Sequence, residues 1–153
     1  MSARPIVVVL GPRDEPPPGI KRAEEFADLR FADSMNELLD ALPGADGLFF
    51  WHASRRDLEE AWEAAKGLRW IQTASDGVDG LLFPALVDAD TVVTNGRGIF
   101  DDAIAEWVIG VLLGFATRIP ESFAAQRQHR WVSGPTERLA GSRLLVVGPG
   151  PIG

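Results

Sequence analysis

Ile6-Val7-Val8-Val9-Leu10 is an unbroken apolar run, mostly β-branched, and Gly11-Pro12 closes it. A strand covered on both faces has no solvent side, so it needs apolar side chains at every position. The run therefore predicts a buried strand of a parallel sheet. Working outward, similar runs occur at Leu29-Arg30-Phe31-Ala32, Gly47-Leu48-Phe49-Phe50-Trp51, Arg69-Trp70-Ile71-Gln72-Thr73 and Thr91-Val92-Val93-Thr94. Helical patterns lie between them. Asp33-Ser34 can cap a helix from Met35 to Ala41, which Pro43-Gly44 stops. Ser54 can cap a second helix through Leu58, Ala61, Trp62 and Ala65, whose spacing makes one apolar face, and Gly67 ends it. Strand and helix in alternation predict an α/β fold, a flavodoxin-like parallel sheet with helices on both faces.

The pattern changes after Asn95. Asp101-Asp102 suit a helix N-terminus, and the helix they introduce, Ala103 to Thr117, is apolar nearly all round, with Glu106 its only charge. Such a helix needs cover on several sides, which a small single domain does not supply. It is expected to lie between two domains or in a subunit interface. A further helix, Pro120 to His129, and a sixth strand, Arg143 to Val147, follow. Pro120 stands at a tolerated first-turn position.

Composition narrows the function classes. The chain has 153 residues, a net charge of -7 and no cysteine. An acidic surface without a basic patch argues against nucleic acid, since Arg55 and Arg56 stand beside Asp57, Glu59 and Glu60. Disulfides and thiolate metal sites are ruled out, and the two histidines, His52 and His129, lack metal-ligand spacing. No metal is expected. The first ten residues are too short in apolar length for a secretion signal, and no uncharged run approaches a membrane span. A soluble cytoplasmic protein is the expectation.

Gly148-Pro149-Gly150-Pro151-Ile152-Gly153 satisfies G-x-G-x-x-G and follows Leu144-Leu145-Val146-Val147. After a strand, such glycines permit a tight turn, close approach of a pyrophosphate and packing of the next helix, whose N-terminus would face the phosphates. A plain Gly-Pro loop is the bland reading of the same residues. Ser75-Asp76-Gly77 likewise reads as an ordinary turn when taken alone.

The motifs together resemble the D-isomer-specific 2-hydroxyacid dehydrogenases. Trp70-Ile71-Gln72-Thr73-Ala74-Ser75-Asp76-Gly77-Val78-Asp79 is similar to that family's S-x-G-x-D loop. Thr94-Asn95-Gly96-Arg97-Gly98, running on to Ala105-Glu106, is similar to its T-N-x-x-G segment and A-E helix. Trp131, Leu139-Ala140-Gly141 and the fingerprint complete the order over residues 68–153. The resemblance implies a two-domain oxidoreductase that moves hydride between NAD or NADP and a small 2-oxo or D-2-hydroxy acid. It implies a substrate domain over residues 1–100, an interdomain helix and linker over 101–142, and the start of a Rossmann domain over 143–153. Backbone amides of Asp76 and Gly77 would hold the substrate carboxylate. Gly148, Gly150, Ile152 and Gly153 would hold the cofactor, with Ser75 and Ile104 facing it. The family's catalytic Arg, Glu and His would lie beyond Gly153, so this stretch is expected to be inactive alone and to dimerise at full length.

Two departures stand out. Asp76 puts a carboxylate where a small apolar residue is usual, and Pro151 lacks the N–H that relatives direct at the pyrophosphate. A second reading from another class is a stand-alone flavodoxin-like binding or dimerisation module without redox activity. His52, at the end of the third run, reads as a surface histidine, and Glu106 equally as a paired structural carboxylate or a functional one.

Overall fold

The computed structural model describes residues 3–153, which divide into two compact units, residues 3–97 and 98–153. The first unit holds five parallel strands: β1 (Ile6–Leu10), β2 (Asp28–Ala32), β3 (Gly47–Phe50), β4 (Trp70–Thr73) and β5 (Val92–Thr94). Their order across the sheet is β2-β1-β3-β4-β5, the flavodoxin-like order. The register sets Val8 opposite both Arg30 and Leu48, and Leu48 opposite Ile71. Val8, Leu48 and Ile71 are each fully buried, as the continuous apolar runs require.

The helices between the strands are α1 (Ile20–Ala23), α2 (Met35–Ala41), α3 (Arg55–Glu60), α4 (Trp62–Ala65) and α5 (Pro84–Val87). The caps read from sequence are present: Ser34 Oγ accepts from the Glu37 N–H and Ser54 Oγ from the Arg56 N–H. The single helix expected after Ser54 is instead two, broken at Ala61, whose ψ of 4° ends the α-helical path. All four residues of its expected face, Leu58, Ala61, Trp62 and Ala65, are nevertheless buried, and Trp62 meets Phe83 edge to face at 5.2 Å. The one-turn helices α1 and α5 have too few residues to show a periodicity. Only Pro84, at the start of α5, marks either one in the sequence.

Asp46 ties the N-terminal ends of three strands together. Its carboxylate accepts from the Ile6 N–H at 2.9 Å and from Arg69 at 2.6 Å, while its carbonyl accepts from the Arg69 N–H. The Ile6 amide first, and Arg69 second, hold the Asp46 carboxyl below its ordinary pKa.

The second unit contains α6 (Asp101–Ala116) and α7 (Ile119–Arg127), joined by Arg118 in the left-handed conformation at φ 58°. Asp101 and Asp102 occupy the first turn of α6, as expected. No residue of α6 is buried, and Trp107 and Phe115 are 68% and 69% exposed. Glu106 is exposed and makes no ion pair among the described residues, contrary to its reading as a paired carboxylate. No single helix among the described residues is long and apolar enough to cross a membrane.

The sixth strand expected over Arg143 to Val147 does not form. Residues 143–147 carry no strand pairing among the described residues, and Leu145 and Val147 are 85% and 89% exposed. Apolar character alone does not make a strand, because a strand is defined by ladder partners that satisfy its backbone. Of the five tryptophans only Trp62 is buried.

Candidate functional site

Because all five strands of the first unit are parallel, the loops that leave them open at one sheet edge, where open α/β sheets place ligands. Two features lie along that edge. The first is a cleft of about 410 Å³ lined by residues that follow β1, β2 and β3, among them Gly11, Asp14, Asp33, His52 and Asp57. Gly11 is there because a Cβ would stand 1.9 Å from the Trp51 carbonyl oxygen, so no other residue lets the ends of β1 and β3 run so close. His52 has φ 43°, a conformation uncommon outside glycine, and stacks edge-on against Trp51 at 4.4 Å.

The cleft's charge decides what it can bind. Asp14, Asp33 and Asp57 line it. The nearby Arg13 is taken up by Asp33 at 3.7 Å and Glu37 at 3.0 Å. The Asp33 N–H first, then Arg13, hold the Glu37 carboxyl below its ordinary range, so that charge is firmly negative. With Arg13 already paired to Asp33 and Glu37, the carboxylates that line the cleft repel an organic acid.

The second feature is the loop after β4, Ala74 to Gly77, and it has the opposite character. The Ser75 N–H donates to the buried Thr73 Oγ1, and the Ser75 hydroxyl donates to the Gly77 carbonyl at 2.7 Å. The Ser75 carbonyl accepts from the Gly96 N–H at 2.9 Å, and the Asp76 carbonyl accepts from the Asn95 side chain. The N–H groups of Asp76 and Gly77 have no partner among the described residues. Two adjacent free amides on a braced loop are an anion-binding arrangement made of backbone donors, with the Asp76 carboxylate standing beside it. Behind them a side-chain chain links β4 to β5: Trp70 Nε1 donates to Thr94 Oγ1, Thr94 Oγ1 to Gln72 Oε1, and Gln72 Nε2 to the Thr73 carbonyl.

The structure thus brings Ser75, Asp76 and Gly77 together in one network, and adds Asn95, to which the sequence reading assigned no role. Thr94-Asn95 is a legible motif, but nothing in the sequence says which carbonyl the Asn95 amide reaches. Asp79 caps no helix; the chain turns there through the Leu81 and Leu82 amides bonding to the Val78 carbonyl.

The other candidates belong to the second unit. Ile104 lies in the first turns of α6 and is 38% exposed. Gly148, at φ 82°, starts a tight turn in which the Gly150 N–H reaches the Gly148 carbonyl at 2.8 Å and the Gly153 N–H reaches the Gly150 carbonyl at 3.1 Å. A Cβ at Gly148 or Gly150 would meet nothing within 4 Å. Ile152 is half-buried beside them.

Residues 7–137 match the family model described as D-isomer specific 2-hydroxyacid dehydrogenase, catalytic domain. The chain is 31% identical to a glyoxylate reductase of Thermofilum pendens, over 99% of this chain and 47% of that one. It is 28% identical to a D-3-phosphoglycerate dehydrogenase of Methanocaldococcus jannaschii, over 88% of this chain and 26% of the relative. Among solved structures, a D-isomer specific 2-hydroxyacid dehydrogenase family protein from Aeromonas salmonicida superposes with a TM-score of 0.77 at 27% identity, covering 98% of this chain and 48% of its own. The NADPH-dependent glyoxylate/hydroxypyruvate reductase of Sinorhizobium meliloti, solved with NADP and malonate, shares the fold with a TM-score of 0.75 at 22% identity, covering 98% and 48%. The chain therefore spans half or less of the length of these relatives.

Proposed function

The chain belongs to the D-isomer-specific 2-hydroxyacid dehydrogenase family, and from that premise we propose that it forms the substrate-binding part of an NAD- or NADP-dependent reductase of small 2-oxo acids. The observation that carries this reading is the pair of free amides at Asp76 and Gly77 on a loop whose Ser75, Asp76 and Gly77 carbonyls are engaged. Those amides would take the substrate carboxylate. Glyoxylate and hydroxypyruvate, named for the relatives, are the acids to test first.

The nicotinamide cofactor, when bound, supplies the hydride for the C2 carbon. Gly148, Gly150, Ile152 and Gly153 would hold its pyrophosphate, with Pro151 contributing no N–H, and Ser75 and Ile104 would face it. The cofactor-holding residues are the less ordered set, since the strand that normally precedes the fingerprint is not formed over residues 143–147. Residues 1–100 would be the substrate domain, 101–142 the linking helix and 143–153 the opening of the cofactor domain. We place the working enzyme in the cytoplasm, and we take it to be a homodimer, an association supported by the exposed apolar faces of α6 and α7.

Reduction of a 2-oxo acid also requires an acid to protonate the carbonyl oxygen and a cation to clamp the carboxylate. The residues assigned to the loop, Ser75, Asp76, Gly77 and Asn95, supply no cation, so residues 1–153 by themselves are expected to show no turnover. The test is to read the gene through codon 153, then assay both the encoded polypeptide and residues 1–153 with NADH or NADPH and glyoxylate. Turnover by the encoded polypeptide and none by residues 1–153 supports the reading. Turnover by residues 1–153 overturns the inactive-part claim, and a stop codon after Gly153 favours the binding module. That second reading has one observation behind it: the first unit closes its own core, with Val8, Leu38, Leu48, Leu58 and Ile71 all fully buried.

A further inference from the structure

We propose that Asn95 is a positioning residue that aims the Gly77 amide at the substrate carboxylate; the proposal rests on the preceding reading of that loop. In a trans peptide the C=O and the following N–H lie in one plane and point in opposite directions. Wherever a carbonyl is tied, the next N–H is therefore aimed.

Two successive peptides are tied in this way, by different means. The Ser75 carbonyl is held by the backbone N–H of Gly96 at 2.9 Å, which turns the Asp76 N–H away from residues 94–96. The Asp76 carbonyl is held by the Asn95 side-chain amide, which turns the Gly77 N–H away in the same sense. Gly96 is buried and Asn95 half-buried, so water competes little for either bond. The backbone contact survives any substitution at residue 95 that keeps the loop folded, whereas the second contact exists only if the residue 95 side chain carries a hydrogen-bond donor. Glycine has the widest backbone freedom of any residue, so the peptide between Asp76 and Gly77 is the one most in need of an external brace. Asp76 makes the brace more important: without it, the plane could turn its carbonyl toward the anion beside a carboxylate that already opposes it.

The experiment uses Asn95→Asp, which keeps the shape but loses the donor, and Asn95→Ala, which loses both. In residues 1–153, N–H residual dipolar couplings are measured for Asp76 and Gly77. In the polypeptide encoded by the whole reading frame, glyoxylate reduction is followed for KM and kcat separately. The expected result is a changed coupling at Gly77 with an unchanged one at Asp76, and a KM raised about tenfold with kcat within about twofold, as lost uniform binding predicts. Asn95→Ser, whose hydroxyl is a shorter donor, should recover part of the KM. An unchanged Gly77 coupling in both variants overturns the proposal, as does a fall in kcat at constant KM. If the wild-type polypeptide reduces no 2-oxo acid, the functional reading fails, while the couplings still decide whether Asn95 orients the peptide.

Discussion

The two compact units are made from similar residues and end in different conditions. In the first, aliphatic side chains at Val8, Leu48 and Ile71 are wholly buried. In the second, Trp107, Phe115 and Trp131 are largely exposed, and Ala125 is its one buried hydrophobic among the described residues. Apolar sequence is therefore only a demand for cover. Five strands meet that demand for each other and for the helices packed on them, whereas two helices and an irregular tail cannot. Binding surface follows from the same difference. The first unit is rigid enough to hold two amides in fixed directions, and the second offers apolar area that a further layer could cover.

The comparison can be broken most easily by truncating its extremes. Leu48→Ala should cost about 2–5 kcal/mol of unfolding free energy, as buried leucines do, while Trp107→Ala should stay within about 0.5 kcal/mol in dilute solution. Urea unfolding of both variants checks this, and equal losses would mean that α6 is covered in solution. The next largest effect is expected at the tight approach of β1 and β3. Gly11→Ala should cost about 1–3 kcal/mol, the range for overpacking, because its Cβ must push the Trp51 carbonyl away. A normal urea midpoint would show that the two strand ends part freely.

Capping comes third. Ser34→Ala should cost about 0.5–1 kcal/mol, the low end for caps, because its bond to the Glu37 N–H is long at 3.4 Å. The smallest effect concerns the Asp46 clamp. Its carboxyl has a pKa below the usual 3.8, so its contribution is complete above the unfolded value and is lost as pH falls through the folded one. Asn at this position should lower the urea midpoint at pH 7, and the gap to wild type should close as the pH drops below about 4. Added salt should narrow the gap as well, since Arg69 is exposed. A gap independent of pH would assign the effect to shape and not to charge.

Much of the first unit was legible because its signals are local. Apolar runs flanked by Gly, Pro and capping residues mark strands and helices within a few positions, and β1, α2 and their caps fall where the spacing puts them. The one-turn helices α1 and α5 were not legible, since four residues hold too little periodicity. The sixth strand was overread for a related reason: Leu144 to Val147 has strand-like residues, but strand formation is a property of a pair. At the candidate site, Ser75, Asp76 and Gly77 could be named from their motif. Asn95 could be quoted but not given a task, because its partner lies 19 positions back in the chain.

Composition, motif order and apolar periodicity determined the α/β class, the family and the residues worth suspecting, since each depends on side chains close in sequence. Strand order, the aim of the Asp76 and Gly77 amides, the clamp at Asp46 and the acidity of the cleft beside His52 were decided only in three dimensions. Each joins residues well separated along the chain, and a hydrogen bond or a repulsion acts over a few ångströms of space whatever the length of chain between its partners.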